Sequence, residues 1–362
     1  MNATVKKILK IIVPAAVLAL SFWVTLDDVD YTRLWEALSA ANMWWVTATL
    51  PIILVSHYLR AVRWRVMLEP VRTGISTWNA FSAVMIAYLF NNIIPRSGEI
   101  ARPFIFARRE NLPVSTSLAS VFVERMIDVM SLAVLLILAV SVFSDDFARA
   151  FAGNDNAGPE TVLIVLSVFI GVFLCGLYIL LRTTWIQRCL ELTVKRFSET
   201  FYSRALTQLQ AFSDGFAVLS KPRLYTRVFV ITVVMWTLYV VPLYMVFEAF
   251  SLQQYYSQFS MLDANVLCVL TSVAIAVAPT PGAAGVYHLA TQKALENLYG
   301  VPREEAVAYA FVAHAIGFLT NLVVGAAFMA RENSLGISWR GLSAQPAEAV
   351  AGQAGGEPTI GS

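Results

Sequence analysis

Two arginines, Arg96 and Arg102, flank Glu99 in the stretch Asn91-Asn92-Ile93-Ile94-Pro95-Arg96-Ser97-Gly98-Glu99-Ile100-Ala101-Arg102. Guanidinium groups are planar, permanently charged and fork-shaped, which suits phosphate or carboxylate. Pro95 and Gly98 interrupt the helix between them and free backbone N–H groups. Asn91, Asn92, Arg96, Gly98, Glu99 and Arg102 therefore form a first candidate binding set, whose natural ligand is an anionic headgroup. The competing account is structural: the arginines anchor the turn at the headgroup layer or pair with Glu99.

A second break, Pro279-Thr280-Pro281-Gly282-Ala283-Ala284-Gly285, has small residues that let other backbone approach closely. A helix restarting there points its positive end inward and offers to hold the same anion from the other side. Gly282, Gly285 and His288 complete the binding set. Glu124 and Asp128 lie one turn apart on one helical face, with Arg125 beside Asp128 at i+3. Two carboxylates against one arginine leave a negative excess, and Arg102 or Arg96 is the expected source of a further cation. That group serves either as an ion network tying the first break to the helix or in proton coupling. His314 and Asn321 share one stripe with Gly317 and Gly325, expected to face the bundle. Glu124, Arg125, Asp128, His314 and Asn321 are read as supporting the site. No cofactor or metal site is expected.

The class follows from composition, since a 362-residue chain with 58% hydrophobic and 14% charged residues cannot be one soluble domain. It reads as an all-α integral membrane protein. The net charge of +2 says little as a total and gives no reason to expect a nucleic-acid partner, whereas its alternation along the chain sets topology. Cys175 and Cys268 sit in apolar runs and Cys189 in a basic segment, which argues against a disulfide framework.

Lys6, Lys7 and Lys10 precede an apolar run over 11–26 with no cleavage site after it, so an uncleaved first span is expected. An acidic loop follows (Asp27, Asp28, Asp30, Glu36), then a second span from Trp44 to about Arg60, then Arg60, Arg63, Arg65 and Arg72. The basic side is cytoplasmic by the positive-inside rule. The apolar runs on either side of the first break, 78–90 and 103–107, are each too short to span. A hairpin dipping in from the cytoplasm keeps Arg108 and Arg109 inside. A long span over 114–143 leads to an acidic outer loop, 145–160, and a clean span covers 161–181. A basic segment with apolar residues at steps of three and four, about 183–220, reads as a cytoplasmic amphipathic helix.

The remaining spans are 228–250 and 306–330, with a second hairpin, 266–298, dipping in from outside. About six full spans and two re-entrant hairpins result, in halves of about 1–143 and 161–331 with the same plan and opposite orientation. Inverted repeats of this kind place substrate at the midplane between broken helices. Both termini are expected in the cytoplasm, with residues 332–362 a disordered tail.

Four ordered motifs carry a resemblance: Leu59 to Arg65, Asn91 to Arg102, Val123-Glu124-Arg125 with Asp128, and Pro279 to Gly285. Together they are similar to the lysylphosphatidylglycerol synthase transmembrane-region family over nearly the whole chain to about Ala330. The family's usual second glycine after Gly282 is Ala283 here, and a position commonly glutamate is His288. The resemblance implies a flippase-like membrane domain of a bacterial inner membrane, acting on phospholipid, hopanoid or polyprenyl-linked lipid. It also implies partners among the enzymes of envelope-lipid synthesis. The synthases' aminoacyl-transferase domain is not expected in the short tail, so the chain is read as a non-enzyme that binds and translocates an anionic lipid. The alternatives are a membrane-embedded enzyme using Glu124 and Asp128, and a non-transporting assembly partner. Against an enzyme stands the lack of a zinc-protease pattern or of a nucleophile beside a base. Asp27-Asp28-Val29-Asp30 hints at metal-pyrophosphate chemistry, but an acidic external loop is the plainer account.

Overall fold

The computed structural model describes residues 3–142 and 199–334, and their regular elements are all helical. The first half holds α1 (Ala3–Leu26), α2 (Tyr31–Ala40), α3 (Met43–Leu68), α4 (Thr77–Ile93), α5 (Gly98–Glu110) and α6 (Val114–Val142). The second holds α7 (Glu199–Asp214), α8 (Tyr225–Ala249), α9 (Met261–Val277), α10 (Val286–Tyr299) and α11 (Arg303–Ser334). Among the described residues, three helical stretches are long and apolar enough to cross a bilayer: α3, α8 with the short turn before it, and α11. A fourth crossing arises if α1 and α2, bent at 88°, count as one. The expected loop at 145–160, the span at 161–181, the first part of the amphipathic helix, Cys175, Cys189 and the chain beyond Ser334 lie outside the described residues.

Short polar side chains set several helix starts. Asp30 accepts from Thr32 N at 2.8 Å, Asn42 from Trp44 N at 3.0 Å and Ser76 from Asn79 N at 3.3 Å, each satisfying an orphan donor of the first turn.

Charge separates the molecule into two ends. At one, Arg72 donates to the Glu110 carbonyl, Asn79 donates to Glu110 Oε1 at 2.7 Å, and Arg109 pairs with Glu332. This joins the segment just after α3 and the last turns of α5 and α11 to the first turn of α4. At the other, Arg303 donates to the Asp27 carbonyl at 2.8 Å and Asn42 N to the Ala249 carbonyl at 2.8 Å. Tyr255 there donates to Glu305 at 3.0 Å.

The two hairpins run from opposite ends and stop halfway. α4 and α5 begin and finish at the arginine-rich end, and their tip reaches α11 where Asn92 donates to the Phe318 carbonyl at 3.0 Å. Fourteen residues separate Phe318 from Glu332, about 21 Å of helix. α9 and α10 are tied at the acidic end, where Tyr299 donates to the Asp263 carbonyl at 3.3 Å, and their tip reaches α11 at His314. Each hairpin also leans on the other half: α4 packs along α11, and α9 along α6. Because lipid offers no hydrophobic drive between helices, close packing must hold them. Gly325 of α11 illustrates it, for a Cβ there would stand 2.7 Å from the Met85 carbonyl of α4.

Two boundaries differ from the sequence reading. α3 runs on to Leu68, so Arg60 and Arg63 lie inside the bundle and not in a cytoplasmic loop. The reason is packing: Trp64, Val66, Met67 and Leu68 are all buried and continue the helix's apolar surface. α7 rests on α6, where Thr116 donates to the Ala211 carbonyl at 2.7 Å, and Phe216 buries against Val66 and Ala119. α11 continues to Ser334, which makes Glu332, assigned to the tail by sequence, a buried residue accepting from Arg109, Arg331 and Ser82. Glu332→Ala is accordingly expected to lower the thermal midpoint in detergent, by an amount equivalent to about 2 kcal/mol for a half-screened pair at the membrane edge. A midpoint unchanged from the parent would remove Glu332 from the core.

Candidate functional site

The first break is shaped by its own side chains. α4 ends where Ile94 turns extended and Arg96 adopts a left-handed φ of 60°. Ser97 donates to the Phe90 carbonyl at 2.9 Å, and Gly98 N donates to Asn91 Oδ1 at 2.8 Å. One freed N–H is thus already used. Gly98 is required by approach, since a Cβ would lie 2.0 Å from the Ala87 carbonyl oxygen.

The second break passes through three left-handed residues, Gly282 (φ 56°), Ala283 (φ 58°) and Gly285 (φ 79°). Three side chains hold it. Thr280 donates to the Ala284 carbonyl at 2.8 Å, His314 Nε2 to the Gly282 carbonyl at 2.9 Å, and Gly285 N donates to His288 Nδ1 at 3.1 Å.

The two breaks meet. Arg96 Nη2 donates to the Ala276 carbonyl at 2.5 Å, in the last turn of α9, where unpaired carbonyls and the negative end of the helix favour a cation. A Cβ on Gly282 would stand 3.3 Å from Asn92 Oδ1 and 2.8 Å from the Phe318 ring, so Gly282, Asn92 and Phe318 form one junction. Arg96 stays exposed at this junction.

Behind the tips lies a buried charge cluster. Glu124 accepts from Arg60 at 2.7 Å and pairs with Arg102 at 2.8 Å, and Asp128 accepts from Arg60 at 2.6 Å and Arg63 at 2.5 Å. Arg125 reaches Asp128 at 3.6 Å and Glu99 at 3.4 Å, the last pair being 40% and 39% exposed. The Arg102 guanidinium also lies 3.9 Å over the Trp64 ring. Four arginines (Arg60, Arg63, Arg102, Arg125) face three carboxylates (Glu99, Glu124, Asp128), an excess of one positive charge. Among the described residues, the Nε atoms of Arg63, Arg102 and Arg125 and Oε2 of Glu124 are buried without a hydrogen bond. The excess is one charge, and the Arg125–Glu99 pair that closes the cluster is open to solvent.

Sequence reasoning left the further cation open between Arg102 and Arg96; the structure pairs Arg102 with Glu124, where it is committed and buried, while Arg96 takes the tip. It missed Arg60 and Arg63, whose i,i+3 spacing puts both on one face of a helix that is still apolar past them. It also missed Tyr88 and His57. Arg60 donates to Tyr88 at 2.7 Å, the Tyr88 ring lies 4.4 Å from that of His57, and His57 Nε2 donates to Asn321 Oδ1 at 3.1 Å. Of the expected stripe on α11, His314, Asn321 and Gly325 face the bundle, whereas no described residue lies within 4 Å of a Cβ placed on Gly317.

The model of the lysylphosphatidylglycerol synthase transmembrane region matches residues 11–325. The chain is 26% identical over 325 residues to a protein named glycosyltransferase AglD from Haloferax volcanii, covering 83% of this chain and 51% of that protein. It thus spans about half of that relative. It is 22% identical over 344 residues to a UPF0104 membrane protein of Pyrococcus horikoshii, covering 92% of this chain and 99% of that protein.

Proposed function

Since the chain belongs to the lysylphosphatidylglycerol synthase transmembrane-region family, we propose that it binds an anionic lipid by its headgroup and carries it between the leaflets of a bacterial inner membrane. The observation that carries this reading is the meeting of two hairpin tips, one from each end, halfway along α11. Polar backbone at that depth requires either buried partners or a wet cavity. An anion suits the place chemically: Arg96 is exposed at the tip and the cluster behind it carries one excess positive charge. The exchange of hairpins between halves supports an inverted repeat, in which rocking of one half against the other exposes the junction to alternate sides. In this reading the arginine-rich end faces the cytoplasm, with both termini on that side, and headgroup binding draws Arg96 off the Ala276 carbonyl, freeing one hairpin from the other.

Vesicles carrying the purified protein and a headgroup-labelled phosphatidylglycerol, with leaflet-specific quenching, test the proposal. The parent is expected to move the label, and Arg96→Gln or Asn92→Ala to slow it at least tenfold while inserting normally, a loss of about 1.4 kcal/mol or more from the step that moves the headgroup. Full rates in both variants would sink the assignment. The rival reading, a membrane enzyme, requires instead a chemically altered lipid and a loss in Glu124 and Asp128 variants that fold.

A further inference from the structure

The second break is held by a contact that a proton would destroy. Gly285 N donates to His288 Nδ1 at 3.1 Å, so Nδ1 carries a lone pair, and the imidazole is neutral with its hydrogen on Nε2. This is the reciprocal half of a capping box at the start of α10, made by a residue that can be protonated. A proton at Nδ1 turns the acceptor into a donor pointed at a donor, and places a positive charge at the positive end of the helix.

The backbone it holds stores strain. Ala283 is left-handed with φ 58°, a conformation unfavourable for a residue with a Cβ. Gly285, at φ 79°, sits against α1 so closely that a Cβ would lie 2.9 Å from Ser21 Cβ and 3.2 Å from the Leu18 carbonyl. Two other contacts share the task, and neither is lost in the same way. The Thr280 hydroxyl does not titrate in this range, and His314 donates to the Gly282 carbonyl through Nε2–H, which a protonated ring retains.

The surroundings leave His288 as the group that decides. Its ring is 3% exposed and contacts Phe22 of α1 at 5.1 Å, Phe311 of α11 at 4.5 Å and His314 of α11 at 4.7 Å. Among the described residues, the titratable groups facing it are His314 and, on its own helix, Tyr287 at 6.0 Å. Two imidazoles this close resist charging together.

We propose that His288 is a proton-operated catch on the second hairpin: uptake of one proton at Nδ1 releases Gly285 and lets the break adopt a second arrangement. Resting on the translocator reading, this makes the proton gradient the source of energy for lipid movement. The proton enters from water on the side to which the opened tip is turned and leaves to the opposite side when Nδ1 re-caps Gly285 with the junction turned that way, so each full cycle passes one proton across the membrane. Because the closed form holds His288 neutral, it is favoured at high pH and lost as pH falls. One proton bound only by the open form changes the equilibrium by about tenfold per pH unit once the freed imidazole titrates.

Amide hydrogen exchange of residues 280–289, corrected for intrinsic rates, reads the catch without any transport. The full chain in nanodiscs of phosphatidylcholine and phosphatidylglycerol is expected to lose protection there by about tenfold per pH unit through the acid range. His288→Asn supplies an amide oxygen near the Nδ1 position and cannot take the proton, so protection should persist and stay flat with pH. His288→Ala should be unprotected at every pH. A flat profile in the parent, or an unchanged slope in His288→Asn, overturns the catch. In vesicles with headgroup-labelled phosphatidylglycerol, a pH gradient should speed movement at least threefold in the parent and not in His288→Asn. Movement indifferent to the gradient refutes the coupling, whereas pH-dependent exchange with no lipid movement keeps the catch and refutes the translocator.

Discussion

Glu124→Ala is expected to cost about 3–5 kcal/mol, the range found when one partner of a buried ion pair is removed. Glu124 is fully buried and is the residue on which Arg60 and Arg102 converge, with Arg63 at 3.5 Å and Arg125 at 3.7 Å. Its loss leaves four arginines facing Asp128 and the half-exposed Glu99. The unfavourable charge lies where α3, the first hairpin and α6 join, so the hairpin should detach before the rest of the bundle melts. Thermal unfolding followed by tryptophan fluorescence is well placed to see this, because Trp64 lies against Arg102 and donates to Ser120 at 2.9 Å. A midpoint lowered by roughly 6 °C or more is expected. Glu124→Gln combined with Arg102→Met removes one charge of each sign and should recover much of the loss, which a purely steric effect would not allow. Equal midpoints for parent and Glu124→Ala would mean the cluster does not hold the hairpin.

How far the cluster was legible depends on the residue. Glu124, Arg125 and Asp128 announce themselves as charges in an apolar run, and Arg102 follows as a counter-charge from the nearby break. Arg60 and Arg63 do not, because a run of arginines after a span reads equally well as its cytoplasmic flank. Only the burial of Trp64 to Leu68 separates the cases, and burial depends on partners distant in sequence, such as Phe106 against Trp64 at 4.1 Å. The sign of the excess charge turned on these two residues, so the sequence implied a negative cluster where the structure has a positive one. Glu332 is a similar case: it lies past the end of the apolar run, and its partner Arg109 is more than two hundred residues away.

The breaks themselves were legible because Pro95, Gly98, Pro279 and Gly282 are chemically incompatible with an unbroken helix. Their mutual contact was legible only as the expectation that both breaks hold the same anion at the midplane. The structure adds the atoms: Arg96 to the Ala276 carbonyl, Asn92 to the Phe318 carbonyl and His314 to the Gly282 carbonyl. The alternating charge of the loops likewise anticipated which helix ends lie together, because charge of one sign gathers wherever chain ends share a side.

Gly98→Ala and Gly317→Ala make the same chemical change and are expected to have opposite effects. A Cβ on Gly98 would fall 2.0 Å from the Ala87 carbonyl oxygen, 2.7 Å from the Ala87 carbonyl carbon and 2.8 Å from Asn91 Oδ1. Two of these atoms are backbone of α4, so no side chain can swing aside. The two arms of the hairpin must part, at a cost of about 3 kcal/mol or more. Parting them also breaks the bond from Gly98 N to Asn91 that shapes the tip, and carries Asn92 and Arg96 away from Phe318 and Ala276. Gly317, by contrast, lies inside α11 with no described residue within 4 Å of an added Cβ, and alanine there removes a residue that weakens a helix by about 1 kcal/mol. Unfolding midpoints should therefore split, Gly98→Ala falling and Gly317→Ala holding or rising. In the vesicle assay Gly98→Ala should lose lipid movement even at temperatures where it stays folded. If the two variants lose stability alike, the close approach of α4 and α5 is not what the first glycine serves, and the tip geometry built on it fails with it.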